Sequence, residues 1–428
     1  MALSPPNFFL KLLAPLVVFA VLLAVLMAVN GGGAPSLPLS ADPGAPTGDA
    51  VADYQRAVRA APGNADAYAG LGDAYLARAR ATSDPGFYSR AGRAFDAALR
   101  RDPRDLGALI GSGTLAGLRH DFHAQLRLGR MAAARAPQLA RPYTVIADAQ
   151  IELGRYHQAA RSIQRLVDTK PGLAAYSRAS YYRELSGDTA GAVAAMRLAA
   201  SAGGASENVA YVQVLLGDLQ LSRGRVGAAR LAYTSALRAL PAYPGGMVGL
   251  ARADAAGGDL GRAAARLRRA AARLPLTSTL GLLSQAEQAL GHPAAARAAL
   301  DTARAQQRLF RAAATAPDAE AVLFEADHGS HAAAVELGRR VWRTMPSVRS
   351  ADALGWALTR SGRPAAGYAF ARRALALGSR DPSFRLHAGI AAKEAGLAGP
   401  AARHLAIAAA GRAALAPRAA ALLEEARR

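Results

Sequence analysis

The sequence predicts an all-α solenoid, a stack of about nine or ten helix-turn-helix repeats. Three observations predict it. Prolines recur at a period of 34 residues, small residues recur at fixed places within that period, and much of the apolar content is alanine. A period of this size marks a stacked array, although 428 residues would otherwise suggest two or three globular domains. Hydrophobic residues make up 52% of the chain and aromatics only 6%. Alanine combines the best helix propensity with little bulk, so this composition favours close-packed helices over a sheet.

The first element is apolar. "LLAPLVVFAVLLAVLMAV", Leu12 to Val29, is uncharged, and "FFLK" extends it back to Phe8. As a helix, Phe8–Val29 would reach about 33 Å, enough to cross a bilayer core of roughly 30 Å. The stretch is longer than the core of a secretory signal, and Pro35 follows the best candidate cleavage site at Ala34. An uncleaved signal anchor over residues 1–29 is therefore favoured over a cleaved signal peptide. Lys11 on the short side, against Asp42 and Asp49 on the other, puts the N-terminus in the cytoplasm and everything after Asn30 outside the membrane. If the segment is cleaved, the protein is secreted. Residues 30–48, "NGGGAPSLPLSADPGAPTG", cannot bury a face and read as a linker.

The array is predicted over residues 49–413. Pro103, Pro137 and Pro171 are 34 residues apart, as are Pro241 and Pro275. Aligned by these prolines, Gly72, Gly113, Ala147, Gly217, Ala251 and Gly355 are equivalent, and Ala159, Ala229, Ala263 and Gly367 follow twelve residues after the last four of them. A third small position is Leu166, Ala236, Ala270 and Ala374 (the leucine being the exception). Small residues facing each other let two antiparallel helices approach to the near end of the usual 8–10 Å. Glycines such as Gly154, Gly224, Gly258 and Gly362 stand where the first helix of a pair must stop. The period prolines follow the second helix and cannot continue it.

These residues resemble the tetratricopeptide repeat, and "ALGWALTRSGR" matches its first helix and turn. "SYYRELSGDTAGAVAAMRLAASAGG" and "LFEADHGSHAAAVELGRRVW" are similar to repeats of long exported bacterial members of that family. The resemblance implies a right-handed α-α superhelix with scaffolding rather than catalysis as its role. It covers Ala65 to about Ala410, with a partial unit at Asp49–Pro62. Two departures stand out. "ARARATSDPGFYSR" carries seven extra residues between two helices, and Ala294–Pro317 lacks the small-residue pattern, as an extended helix or a break in the superhelix would. Residues 414–428 end in "PRAAALLEEARR", which reads as the capping helix a solenoid requires.

Net charge is +21, nearly all of the positive charge is arginine, and the lysines are Lys11, Lys170 and Lys393. No block of five basic residues appears, so the charge reads as a solvated exterior. Attraction to anionic polymers or lipid headgroups is the alternative. The absence of cysteine excludes disulfides and thiolate chemistry. His120 and His123 around Asp121, and Asp327, His328 and His331, have metal-compatible spacing but read as polar residues at repeat turns. No nucleophile elbow, HExxH, Walker loop or dinucleotide fingerprint is present, and "GGASEN" at 203–208 reads as a long inter-repeat loop.

No enzymatic activity, cofactor or metal is expected. The first helices of such repeats line a concave groove. Side chains one residue after the first small position should point into it: Asp73, Thr114, Asp148, Tyr182, Asp218, Arg252 and Trp356. That row of carboxylates, an arginine and a tryptophan suggests a protein or peptide partner bound by the groove, and the expected location outside the cytoplasm disfavours nucleic acid.

Overall fold

A computed structural model describes residues 49–427 apart from Ser83. The apolar segment 1–29 and the linker 30–48 lie outside the described residues. Among the described helices, none is long and apolar enough to cross a membrane.

The described chain is helical throughout. Helix α1 (Ala50–Ala60) precedes ten antiparallel hairpins. These are α2 (Ala65–Thr82) with α3 (Gly86–Arg101), α4 (Leu106–Leu118) with α5 (Phe122–Arg135), α6 (Arg141–Glu152) with α7 (Tyr156–Thr169), α8 (Leu173–Leu185) with α9 (Thr189–Ser201), and α10 (Ser206–Ser222) with α11 (Val226–Ala239). Then come α12 (Pro244–Ala256) with α13 (Leu260–Arg273), α14 (Thr277–Ala289) with α15 (Pro293–Ala312), α16 (Ala319–His328) with α17 (His331–Thr344), α18 (Val348–Arg360) with α19 (Pro364–Ala374), and α20 (Pro382–Glu394) with α21 (Ala398–Ala410). A short 3₁₀ turn, Arg412–Ala414, leads to α22 (Pro417–Arg427), which packs on α20, α21 and α14.

Local rules set these boundaries. Pro103, Pro137, Pro171, Pro241, Pro275 and Pro346 each stand two residues beyond the end of a second helix, where a ring without an N–H can do no harm. Aspartates start many helices: Asp105, Asp121, Asp188, Asp259, Asp318 and Asp381 each accept a backbone N–H of the first turn. Such caps contribute about 1 kcal/mol each. The seven extra residues near Thr82 do not form a loop. They lengthen α2 to 18 residues, since seven residues are two helical turns and leave the packing face in register.

The small residues serve two different ends. In α18 and α19 they bring backbones together: a Cβ on Gly355 would lie 2.9 Å from the Gly367 carbonyl oxygen. In other hairpins the glycine makes room for an aromatic ring from the second helix. Phe95 lies against Gly72 and Gly111, and Tyr233 lies against Gly217 and Gly249, so each ring is clasped by its own first helix and the next one. Both rings are fully buried.

The array closes on itself. Ends of first helices in the N-terminal half meet inter-repeat connections of the C-terminal half. His120 Nδ1 contacts the Ala316 carbonyl at 2.7 Å across 196 residues of sequence, and the Val348 N–H donates to the Tyr156 hydroxyl at 2.7 Å across 192. Arg349 pairs with Glu152 at 3.9 Å. Further along the same seam, Gly378 meets the Ser186 carbonyl and Gly411 meets Ser222. One superhelical turn therefore takes between five and six hairpins, and successive turns touch. Gly154 sits on this seam with φ +68°, and a Cβ there would collide with the Pro346 carbonyl. Gly154→Ala is expected to cost about 2 kcal/mol, from left-handed strain alone about 1–2, and to part the seam. Small-angle scattering should then show a larger radius of gyration at unchanged helix content.

One step in the stack is irregular. In every other pair of neighbours the second helix runs along the first helix of the next hairpin, but α15 hardly approaches α16. Helix α15 has 20 residues, against 11 to 16 for other second helices. The region without the small-residue pattern is thus a lengthened helix and also a break in the stacking.

Candidate functional site

The inner face of the superhelix is built by the first helices, and charged side chains pair along it. Arg178 of α8 holds Asp148 of α6 through two hydrogen bonds of 2.8 and 2.7 Å. Arg252 of α12 pairs with Asp218 of α10, which also accepts the Tyr233 hydroxyl at 2.7 Å. His387 of α20 contacts Asp352 of α18 at 2.9 Å. Arg141 reaches Asp73 at 4.0 Å. Among the described residues, the buried charged side chains are nine acids and two arginines, while the arginines of α13, α17 and α19 largely face solvent. The positive surplus therefore lies on the outside, and the inside is acidic.

The sequence-predicted groove residues fall into this ladder. Asp148, Tyr182, Asp218 and Trp356 are buried, and so is Thr114. Asp73 stays half exposed, and Arg252 is 17% exposed. The expected open row of side chains is corrected at the buried positions, because closure of the superhelix brings neighbouring first helices and the opposite wall against them. Trp356 stacks on His387 with ring centroids 4.4 Å apart and donates its Nε1–H to Asp327 at 3.0 Å.

Two of the seven, Arg252 and Trp356, line a cavity of about 280 Å³ at the irregular step. Helices α12, α14, α16, α18 and α20 wall it, and the 3₁₀ turn and α22 close it. A second cavity of about 240 Å³ lies between α14, α15, α16 and α17. The two share Thr277 and Glu320 as wall residues. The larger one presents four carboxylates, those of Glu320, Asp327, Asp352 and Asp381, beside the rings of Phe324 and Trp356.

Burial governs the ionisation of this wall. It pushes Glu320 well above the usual carboxylate range, with Asp318 adding to the effect and Arg349 opposing it. Asp381 is raised to about 7 by burial and by Asp352, against the backbone N–H groups of Phe384 and Ser383 and the His387 ring. For His387, burial alone would lower the value, but the Asp352 carboxylate together with Asp327 and Asp381 outweighs it and the ring is raised above its ordinary value. His328 is lowered by burial and by Arg418 and Arg304.

A raised acid holds its proton in the folded chain while the unfolded chain has released it. Asp381 thus subtracts stability as pH rises from about 4 through 7. Stability from raised His387 is full below its unfolded value and is lost as pH climbs, which is the same sign. His328 acts oppositely. Arg252, Arg380 and Arg385 are the cations near Asp381. Asparagine caps helices as well as aspartate does. Asp381→Asn is therefore expected to stabilise the chain by about 2 kcal/mol at pH 8 and to be nearly neutral at about pH 4, below which both states hold the proton, as thermal melts at the two pH values would report.

The other residues singled out in the sequence have structural partners. Asp121 caps α5, and His120 (φ +60°) is held by the seam. Asp327 receives Trp356, and His328 packs on Phe324 at 5.1 Å. Among the described residues no group of three or more His, Asp or Glu is arranged to hold a metal. Gly203–Asn208 forms the α9–α10 loop and the start of α10. Sequence reasoning missed Glu320, Asp352, Asp381 and His387. The available signal was that the aspartates at Asp148 and Asp218 have arginines 30 and 34 residues later, whereas Asp352 has a histidine 35 residues on.

Ten such hairpins, with glycine and alanine at the crossings, define a helical-repeat solenoid of the tetratricopeptide type. No protein-family model matches the chain, and no curated protein matches it. Among solved structures, human IFIT1 bound to m7Gppp-AAAA is similar at 13% identity, covering 76% of each chain with a TM-score of 0.48. The tetratricopeptide-repeat protein TTC0263 of Thermus thermophilus is similar at 24% identity over 36% of this chain and 84% of its own, with a TM-score of 0.34. YrrB, described as a tetratricopeptide-repeat protein with an unusual peptide-binding site, matches 53% of this chain and 94% of its own at 14% identity and a TM-score of 0.25.

Proposed function

We propose that the chain is a non-enzymatic scaffold that binds a peptide segment of a protein partner within its lumen. Residues 1–29 would hold the array outside the cytoplasmic membrane. The observation that carries the reading is the 280 Å³ cavity where inner-face side chains of five first helices converge. Apolar walls with a few placed polar groups are the usual makeup of a binding site. A phosphate backbone would meet four carboxylates there, so nucleic acid is not the proposed ligand.

A photo-crosslinking residue at Leu282, on the cavity wall, should trap a discrete partner in the native cell. The same residue at Arg269, on the outer face of α13, should trap none. Crosslinks from Arg269 alone would reject the lumen. The outward arginines support a second reading, adhesion to an anionic envelope polymer or lipid surface. That interaction should vanish by about 0.3 M salt, whereas capture in the lumen should persist.

A further inference from the structure

Resting on that reading, we infer that the lumen selects a basic side chain, lysine or arginine, in the docked peptide, with Glu320 as its counter-charge. The ladder of inner-face charges shows why. Asp148, Asp218 and Asp352 are each answered by a cationic or imidazole side chain of the next first helix. At the irregular step the pattern fails. Helix α14 offers Thr277, Ser278, Gly281 and Gln285 to the cavity, and none is charged.

Glu320, the first acid of α16, has no ion pair among the described residues, and its Oε1 is buried without a hydrogen-bond partner. Ser278 Oγ, across the same cavity, is also buried without one. The nearby guanidinium groups are committed elsewhere. Arg252 is held by Asp218 and the Ala414 carbonyl, and Arg418 bonds the Asp327 carbonyl; Arg349, 3.9 Å from Glu152, offsets the Glu320 charge only in part and donates no hydrogen bond to it. A carboxyl group whose Oε1 is buried without a partner is costly to ionise, and an incoming cation with several N–H donors removes that cost through charge-assisted hydrogen bonds. Because Glu320 walls both cavities, a segment lying in the larger one can place its basic side chain at the shared wall. The apolar stem would lie along Leu323 and Phe324.

A random hexapeptide pool displayed on phage tests this against the full-length chain in a non-ionic detergent. A Gly281→Leu variant serves as the blocked control. Gly281 lies on the cavity wall and a Cβ there meets nothing within 4 Å, so leucine fills the lumen without disturbing the helix. Peptides that depend on an open lumen should carry Lys or Arg at one fixed position. Replacing that residue with norleucine should weaken binding at least tenfold, and Glu320→Gln should weaken it by the same factor and erase the preference. Enriched peptides that Gly281→Leu blocks but that lack a fixed basic residue, or that bind Glu320→Gln unchanged, would overturn this inference and leave the scaffold standing. A pool with no lumen-dependent peptide would overturn both.

Discussion

Replacing Asp148 with alanine is expected to cost about 3–5 kcal/mol of stability, because it leaves a buried guanidinium without its counter-charge. Asp148 and Arg178 have side chains only 7% and 4% exposed, and two hydrogen bonds join them. Arg178 loses both charge-assisted hydrogen bonds once the carboxylate is gone and cannot shed its proton near neutral pH. The double variant Asp148→Ala, Arg178→Met should recover most of the loss, since apolar replacement of a whole buried pair is often neutral. Urea unfolding followed by circular dichroism reads both values. A single-variant cost below 1 kcal/mol would mean that water reaches the pair.

Tyr233→Ala should be comparably severe, about 3–5 kcal/mol for deletion of a buried aromatic. The ring is clasped by Gly217 and Gly249, which have no side chains to collapse into the space. Its hydroxyl also serves Asp218, whose Oδ2 is already buried without a partner. Tyr233→Phe isolates that second part and should cost about 1.5–3 kcal/mol, the range for a hydrogen bond to a charged group. Because contacts in a solenoid are mainly between neighbours, hydrogen exchange should quicken first in α10–α13 and leave α2–α5 protected. Uniform loss of protection would instead show that closure of the seam makes the whole array cooperative.

Much of the fold was legible in the residues. Periods of 34 marked hairpins, and the prolines and glycines marked their ends within two or three residues, since both act through local backbone geometry. The irregular step was visible at Ala294–Pro317 as a missing small-residue pattern. The binding surface was read less well. Asp148, Asp218 and Trp356 were expected as an open row along one face, and in the structure they meet residues 30, 34 and 31 positions away. Periodicity assigns a side chain to a face and says nothing of what stands opposite.

Local chemistry, then, was enough for the helices, their pairing and the outward arginines, because each depends on residues within about one period. Closure of the superhelix was decided only in three dimensions. The small rotation between hairpins accumulates until Gly154 and Tyr156 meet Pro346 and Val348, some 192 residues further on. That summed angle, together with the one step where α15 fails to follow α16, leaves Glu320 unanswered beside the lumen.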